Sequence, residues 1–530
     1  MNDMGPKEII QRYQALKSAR SSMNNLLQDI EHYVAPYRGE FYRDLSTESE
    51  VDWLRYEIWD STAIVSAKLL ASKMHGAITS PTVRWFGLRF RDSDKNDDVA
   101  YKEWLEDTQT RAWQALQESD FDTEVAENYH DLVTFATSPL FMEEKNDINY
   151  EGVDFTAWSM SNTFFENGGD GKPLRTYREI QYTDLQLKDR FDYVTEDDDV
   201  DTKKTVVFCV YYRDKDADIS KPLTPEARPV GYQYVLRSSN ETLEEGGYYH
   251  WPVMIPRYSK VAGSVWGTSP AMEMLPHIRM LNETVAQVYE ARAKAIDPPV
   301  VTTGNNLLSD YDITPGGITF ADNLEDFKEL LPTSPLDKEE ATINRMQNDI
   351  RKAFFIDLLE LKDSPAMTAT EVMARREEMA RYMAPTLGRL KTDLLDPLVE
   401  NLVKILLRTG QLKPLPDGLE EADIDIEYTS PLPRAEKGEQ AVSIEAWMQG
   451  LMAVAEAKPT VLDNVNEDEY ARHLAEVRGV PVSMLTDEDE MKAMREKRQE
   501  MQEAASKAEV LKTGAETVKT AAEAEQAATE

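Results

Sequence analysis

The sequence predicts an α+β protein that is mostly helical, and three observations carry that reading. Amphipathic stretches with apolar residues three and four apart recur at both ends of the chain and in its middle. A block from about residue 138 to 260 instead alternates short runs rich in Val, Tyr, Phe and Thr with turn clusters such as ENGGDGKP and SNETLEEGG. A third block, from residue 267 onward, reads as helix, small β-like segment, helix, loop and very long helix.

Residues 6–34 are expected to form a helix, with Ile9, Ile10, Tyr13, Leu16, Met23, Leu26, Leu27 and Ile30 near helical spacing. The stretch RYEIWDSTAIVSAKLLASKMHGAI gives a second, with Asp60 or Ser61 as its cap. Ala63, Ala67, Leu70, Met74 and Ile78 make its single stripe. SPTVRWFGLRF stops that helix at Pro81 and alternates like a strand, and residues 100–134 read as helical again.

After the β block, Gly267-Thr268-Ser269-Pro270 opens a helix, with Ser269 capping and Pro270 at the first helical position. Met274, Ile278, Leu281, Val285, Val288 and Ala295 form its stripe, Arg292 takes the remaining slot, and Asp297-Pro298-Pro299 ends it. PPVVTT, PGGITF and FKELLP are expected as short strands. A second helix starts at Asp337, with Ile343, Met346, Ile350 and Ala353 in matching steps. LKDSPAMTATEV then sets a polar loop with Pro365 against Thr368 and Glu371, which have the spacing of a capping box. The helix that follows runs to about Leu407, kinked at Pro385 and Pro397. IDIEYTSPL gives one strand, and helical patterns resume from about residue 435. The tail from Thr486 is rich in Glu, Ala, Lys, Met and Gln and ends in KTAAEAEQAATE, an exposed helix or a disordered segment.

A chain of 530 residues allows roughly two to four domains. Its 41% apolar content and nine Trp allow a real core. Against 97 acidic side chains there are 59 basic ones, a net charge of −38. Such a surface repels phosphate and argues against tight non-specific DNA binding by the chain as a whole. The single Cys209, in VVFCVYY, reads as a buried structural thiol, and one Cys builds no disulfide framework; a reducing place of synthesis fits. The first residues, MNDMGPKEIIQRYQALK, lack the apolar region of a secretory leader, and no apolar run approaches the length that spans a bilayer.

Motifs of catalysis are scarce. GGDGKP has Glu166 and Pro173 where a phosphate loop needs Gly and Ser or Thr, so it reads as a hairpin turn. TEDDDVDTKK sets Asp197, Asp199 and Asp201 at alternate positions, but Thr202 and Phe208 occupy the places where a calcium loop needs Gly and Glu. A solvated acidic loop is the reading, with a weak divalent-ion site as the alternative. The six His are scattered without metal-ligand spacing, and neither GxSxG nor a Cys-His signature occurs. No catalytic residue, cofactor or metal is expected. Charged residues on the outer faces of the two helices (Arg279, Glu283, Glu290 and Lys294; Lys338, Arg345, Arg351 and Lys352) are candidates to face solvent, a neighbouring subunit or a channel.

Four stretches in order give the chain a resemblance to the portal (head-to-tail connecting) proteins of short-tailed, podovirus-like bacteriophages. They are WDSTAIVSAKLLASKMHGAITSPTVRWFGL, WPVMIPRYSKVAGSVWGTSPAMEMLPHIRMLNE, RKAFFIDL followed by MTATEV, and IEYTSPLPRAEKGEQAVSIEAW. In TFATSPLF, Ala136 stands where the family's Gly is expected, which leaves the local backbone conformation open. The resemblance implies a portal fold assembled as a ring, typically a dodecamer, around a DNA channel at one capsid vertex of the virion. It implies a wing at 1–266 that includes the β module, stem helices at 267–296 and 337–358, and a clip at 297–336. It further implies a tunnel loop at 359–368, a long wing helix and return strand at 369–434, and a crown at 435–530 with a possible barrel helix. Lys362, Asp363, Ser364, Pro365, Ala366 and Met367 would then lie nearest to double-stranded DNA, with Thr368 and Glu371 capping the following helix and Arg279, Glu283, Glu290, Lys294, Arg345, Arg351 and Lys352 lining the stem. Implied partners are further copies of the chain, the terminase large subunit, tail adaptor or nozzle proteins, and the major capsid and scaffolding proteins, with no membrane and with synthesis in the host cytoplasm. A largely acidic channel with local basic bands is expected. The alternatives are another oligomeric virion component, such as a tail adaptor, and a metal-dependent DNA-processing enzyme built on the three Asp residues.

Overall fold

The computed structural model describes residues 4–36, 38, 41, 57–92, 99–146, 150–169, 171–193, 203–213, 223–261, 263–296, 300–302, 314, 318–320, 336–356, 382–414, 424–428, 431–455, 458, 460–461, 465–478, 491, 493–498 and 501. The loop at 359–368, Thr368, Glu371, the three Asp residues of the acidic loop and most of the tail lie outside them, as does FKELLP. The fold is mixed helix and sheet, and the chain divides into two compact units: residues 1–93 with 103–432, and residues 94–102 with 433–530.

In the first unit the strands, numbered in chain order, are β1 (Phe86–Phe90), β2 (Leu140–Glu144), β3 (Val153–Ala157), β4 (Thr163–Asn167), β5 (Pro173–Thr183), β6 (Lys203–Tyr212), β7 (Val230–Leu236), β8 (Glu241–Tyr248), β9 (Val253–Met254), β10 (Ser259–Lys260), β11 (Gly267–Thr268), β12 (Val300–Thr302), β13 (Ile318–Phe320) and β14 (Ile424–Tyr428). β4 to β8 form a five-stranded antiparallel meander in sequence order. Its first turn is the ENGGDGKP cluster: Gly168 N donates to Lys172 O and Gly171, at φ +79°, donates to Gly168 O. The phosphate-loop look of that motif is therefore a hairpin turn. A second sheet runs β3-β2-β9, β10 pairs with β11, and β12 lies parallel to β13. β1 pairs with β14 from Phe86↔Tyr428 to Phe90↔Ile424, joining segments some 336 positions apart.

The N-terminal helix, Pro6–Tyr33, covers one face of the meander. Ile9, Ile10 and Tyr13 pack with Phe164, Tyr177, Val207, Cys209 and Tyr211, which are the alternate residues of β4, β5 and β6 on one side. Cys209 is buried here as read from sequence, and burial pushes its thiol well above the ordinary range. Arg20 locks the helix in place. Its guanidinium donates to the carbonyls of Met160, Ser161 and Thr163 and lies 4.0 Å from the centre of the Phe164 ring. Burial penalises the Glu179 carboxylate, but Lys17 at 2.6 Å and the Tyr13 hydroxyl at 2.5 Å outweigh that and hold its pKa below the usual value.

Two helical expectations need correction. The stretch 100–134 is two helices, Val99–Gln117 and Phe121–Phe135. Ser119 Oγ donates to Leu116 O and accepts from Phe121 N, so a short side chain takes over backbone partners and ends the first helix. The β block also contains a helix, Asp184–Phe191, opened by a capping box in which Thr183 and Gln186 satisfy each other's amides. Farther on, a helix over 382–390 passes into a π-helical turn, Lys391–Leu395, and then the helix Asp396–Arg408. The irregular turn sits directly before Pro397, which has no amide to donate.

In the second unit the helix Glu467–Arg478 is capped by Asn466, whose Oδ1 accepts from Asp468 N and Glu469 N, and Arg495 grips Asp468 through both guanidinium nitrogens at 2.5 and 2.6 Å. The helix Pro431–Ala455 opens at the end of the first unit and continues into the second. Among the described residues of this unit no side chain is buried. No described helix is long and apolar enough to cross a membrane.

Candidate functional site

The candidate residues fall on a two-helix hairpin. The helices Pro270–Ile296 and Leu336–Ala353 pack together, and their pairing is antiparallel. Arg292 near the end of the first meets Glu340 near the start of the second at 2.7 Å. Ten residues back toward the hairpin's base, Asn282 Oδ1 accepts from Trp59 N at 2.7 Å and Asp60 N at 3.3 Å. Asp60 Oδ2 in turn accepts from Gln347 Nε2 at 2.7 Å. One strap, residues 57–60, thus ties both helices, and Asn282 Nδ2 donates to Glu57 O to complete it. Ser61 holds the N-cap position of the helix Thr62–Ile78 without a side-chain cap bond, and the other oxygen of Asp60, one residue earlier, accepts from Thr62 N instead.

The apolar stripe read from sequence faces inward. Ile278, Leu281, Val285 and Val288 are buried, while Met274 is half-buried and Ala295 is exposed. Among the described side chains of the opposing helix, Ile350 is the buried one.

The root of the first helix is rigid. Ser269 Oγ accepts from Met272 N and donates to the buried carbonyl of Thr134, so the cap also clamps the helix to the end of Phe121–Phe135. That neighbouring helix ends in Ala136 at φ 66°, in the left-handed region. The conformation that Gly serves best is therefore kept with Ala. Ala136 O accepts from Tyr258 N at 2.8 Å, and a Cβ at Gly267 would stand 2.8 Å from the same oxygen, so Gly267 is needed for the backbones to meet.

The charged candidates separate into tied and untied groups. Arg279 reaches Asp29 at 3.2 Å on the N-terminal helix, Glu283 accepts from Gln287 at 3.0 Å, and Glu290 pairs with Lys294 at 2.6 Å. These are exposed contacts, each contributing less than about 1 kcal/mol. Arg345, Arg351 and Lys352 are exposed and pair with no described acid. The side chain of Lys338 and all of residues 362–367 lie outside the described residues.

Sequence reading missed Asn282, Phe355 and Tyr382. Asn282 was legible only as a polar residue beside the buried stripe. Phe355 closes the second helix at φ 57°, its amide donating to Lys352 O, so the helix stops at Ala353 with the turn at Phe355. The Phe355 ring lies 6.1 Å from that of Tyr382, so the chain is back beside its point of departure 27 positions later. Among the described residues no three His, Cys, Asp or Glu converge as a metal-ligand set.

The family is shown by a match across nearly the whole chain. Residues 6–485 match the family described as bacteriophage head to tail connecting protein. A probable portal protein of Bordetella phage BPP-1 is 26% identical over 95% of this chain and 93% of its own length. A portal protein of Salmonella phage epsilon15 is 24% identical, again over 95% of this chain and 93% of its own length. Among solved structures, a chain of the virion of a native gene transfer agent particle aligns at a TM-score of 0.38 and 11% identity, covering 82% of this chain and 94% of that one. A chain from the neck of an empty gene transfer agent particle aligns at 0.37 and 11%, covering 76% and 90%.

Proposed function

The chain belongs to the bacteriophage head to tail connecting protein family, and from that premise we propose that copies of it form the ring-shaped portal at one capsid vertex, through which the genome is packaged and later ejected. The observation that carries this reading is the family match across nearly the whole chain, together with curated relatives named portal proteins. A ring of about twelve copies encloses double-stranded DNA. The clamped hairpin is its stem, residues 297–336 its clip, 359–368 its tunnel loop and 435–530 its crown. The clip receives the packaging motor first and the tail adaptors afterwards. ATP hydrolysis belongs to the motor, because this chain has no phosphate loop.

The charge balance fits sliding. A uniformly basic wall would hold DNA with a steep salt dependence and act as a brake, whereas a chain at −38 keeps DNA off the wall. Arg345, Arg351 and Lys352 are free of described acids and supply a local basic band. The strap 57–60 and the clamp at Ser269 give the stem a fixed base. The Phe355–Tyr382 ring contact ties together the segments that flank the proposed loop.

Electron microscopy of the purified protein, alone and with scaffolding protein, tests this reading. Closed rings with a central hole wide enough for duplex DNA support it and count the subunits. A chain that stays monomeric with scaffold present overturns it. Deleting residues 362–367 is then expected to leave the ring intact but impair DNA retention, and normal packaging and retention would remove the loop assignment.

A further inference from the structure

The helix Pro431–Ala455 holds a physical contradiction. From Ser443 to Ala455 its only charged residue is Glu445. A helical stretch so poor in charge belongs inside a core. Yet none of these residues is buried in the single chain, and Trp447 is 52% and Val454 51% exposed. The described remainder of its unit buries nothing either, so no core is found for it among the described residues of that unit.

The helix also has two unlike faces. At 100° per residue, Ile444, Trp447, Met448, Leu451 and Val454 share one side. Ala446, Gly450 and Ala453 share another, all three exposed, and a Cβ at Gly450 would meet nothing within 4 Å. One face is a bulky ridge and the other a shallow trough. A ridge that fits a trough on the same helix is a head-to-tail contact, the kind that closes into rings. Charge points to the same occupant. Copies of a chain at −38 repel one another, and a stretch with one charge in its length is where they can meet without opposing like charges.

We propose that the Trp447 ridge of one copy packs into the Ala446–Gly450–Ala453 trough of the next copy, so that the second unit gains its core only on assembly. This rests on the ring reading above and names a contact within it.

The test uses the full chain carrying both Leu451→Cys and Ala453→Cys, two positions apart and hence on opposite faces, treated with a short bismaleimide. The native Cys209 is buried and stays out of reach. A ladder of covalent multimers beyond dimer is expected from the double variant, and none from either single variant. Trp447→Glu and Gly450→Leu should each lower the yield of rings by about tenfold or more. Rings visible by microscopy with no ladder, or Trp447→Glu rings at wild-type yield, would overturn the contact while leaving the portal reading standing. If the wild-type chain forms no ring with scaffold present, the portal reading itself fails and the contact with it.

Discussion

In the first unit Trp85 is 1% exposed, stacked between Phe121 at 6.1 Å and Tyr428 at 6.4 Å. In the second unit Trp447, the one Trp there, is 52% exposed on a helical stretch, Ser443 to Ala455, whose one charged residue is Glu445. The same residue type stands in opposite environments because the two units complete their cores differently. The first has local neighbours and strands from far along the chain, such as β14 on β1, to cover its apolar faces. Among the described residues of the second, helices are present but none of their side chains is buried. The first unit therefore builds its core within one polypeptide, and on the contact proposed above the second completes its core by assembly.

The largest effect that separates them is at Trp85. Replacing it with Ala removes a ring on which the joint of β1, β14 and the helix Phe121–Phe135 is built. A loss of about 3–5 kcal/mol is expected in denaturant unfolding of the dispersed protein. A loss under about 1 kcal/mol would mean that the first unit does not depend on that joint.

Ala136 comes next. A left-handed residue costs roughly 1–2 kcal/mol when it carries a Cβ. Gly would relieve that, but would give up the burial of a methyl, about 0.8 kcal/mol, and cost unfolded-state entropy of roughly 0.5–1 kcal/mol. The terms nearly cancel, which explains how Ala serves here. Ala136→Gly should stay within about 1 kcal/mol of the wild type, whereas Ala136→Val, branched and fully buried, should cost about 2–4 kcal/mol. Equal stability of the Val and Gly variants would show that the turn is not held at its observed φ.

Acid should also act on the first unit. Burial, then Arg38 and Lys68, push His130 down to about 3, and burial, then Lys404 and Arg408, push His250 down to about 3, from an ordinary 6.5. A base whose folded pKa lies below its unfolded value binds fewer protons when folded. Stability is therefore full above about pH 6.5 and falls as the pH drops from 6.5 toward 3. Roughly 2–3 kcal/mol per histidine should be lost by about pH 4.5, and His130→Phe with His250→Phe should flatten that part of the urea-midpoint curve. An unchanged slope in the double variant would assign the acid loss to other groups.

The sequence makes visible whatever is local. The stripes of Pro6–Tyr33 and Thr62–Ile78, the Ser269 cap with Pro270, and the hairpin at ENGGDGKP follow from spacing and turn chemistry alone. The break at Ser119 was hidden because its cause is a side chain competing for backbone partners inside an unbroken apolar period. Asn282 was unreadable for a different reason: its partners are the amides of Trp59 and Asp60, more than two hundred positions away, and only the docked strap gives its polarity a purpose. Of the charges on the two hairpin helices the pattern gave the exposed face, but which are spent on neighbours, as Arg279 is on Asp29, depends on packing between elements.

The smallest expected effect is the sharpest test of the contrast. In dispersed protein, Trp447→Ala removes a ring that touches mostly water, so stability should move by no more than about 0.5 kcal/mol. In assembled rings the same ring would be covered, and its loss should raise the protein concentration needed for assembly. The readouts must therefore part company: chemical unfolding of the dispersed chain unmoved, the assembly midpoint shifted. A drop of 2 kcal/mol or more in the dispersed chain, the order found for buried side chains, would mean that Trp447 already sits in a core of its own polypeptide. The two units would then differ in degree and not in kind, and the second would need no neighbour to fold.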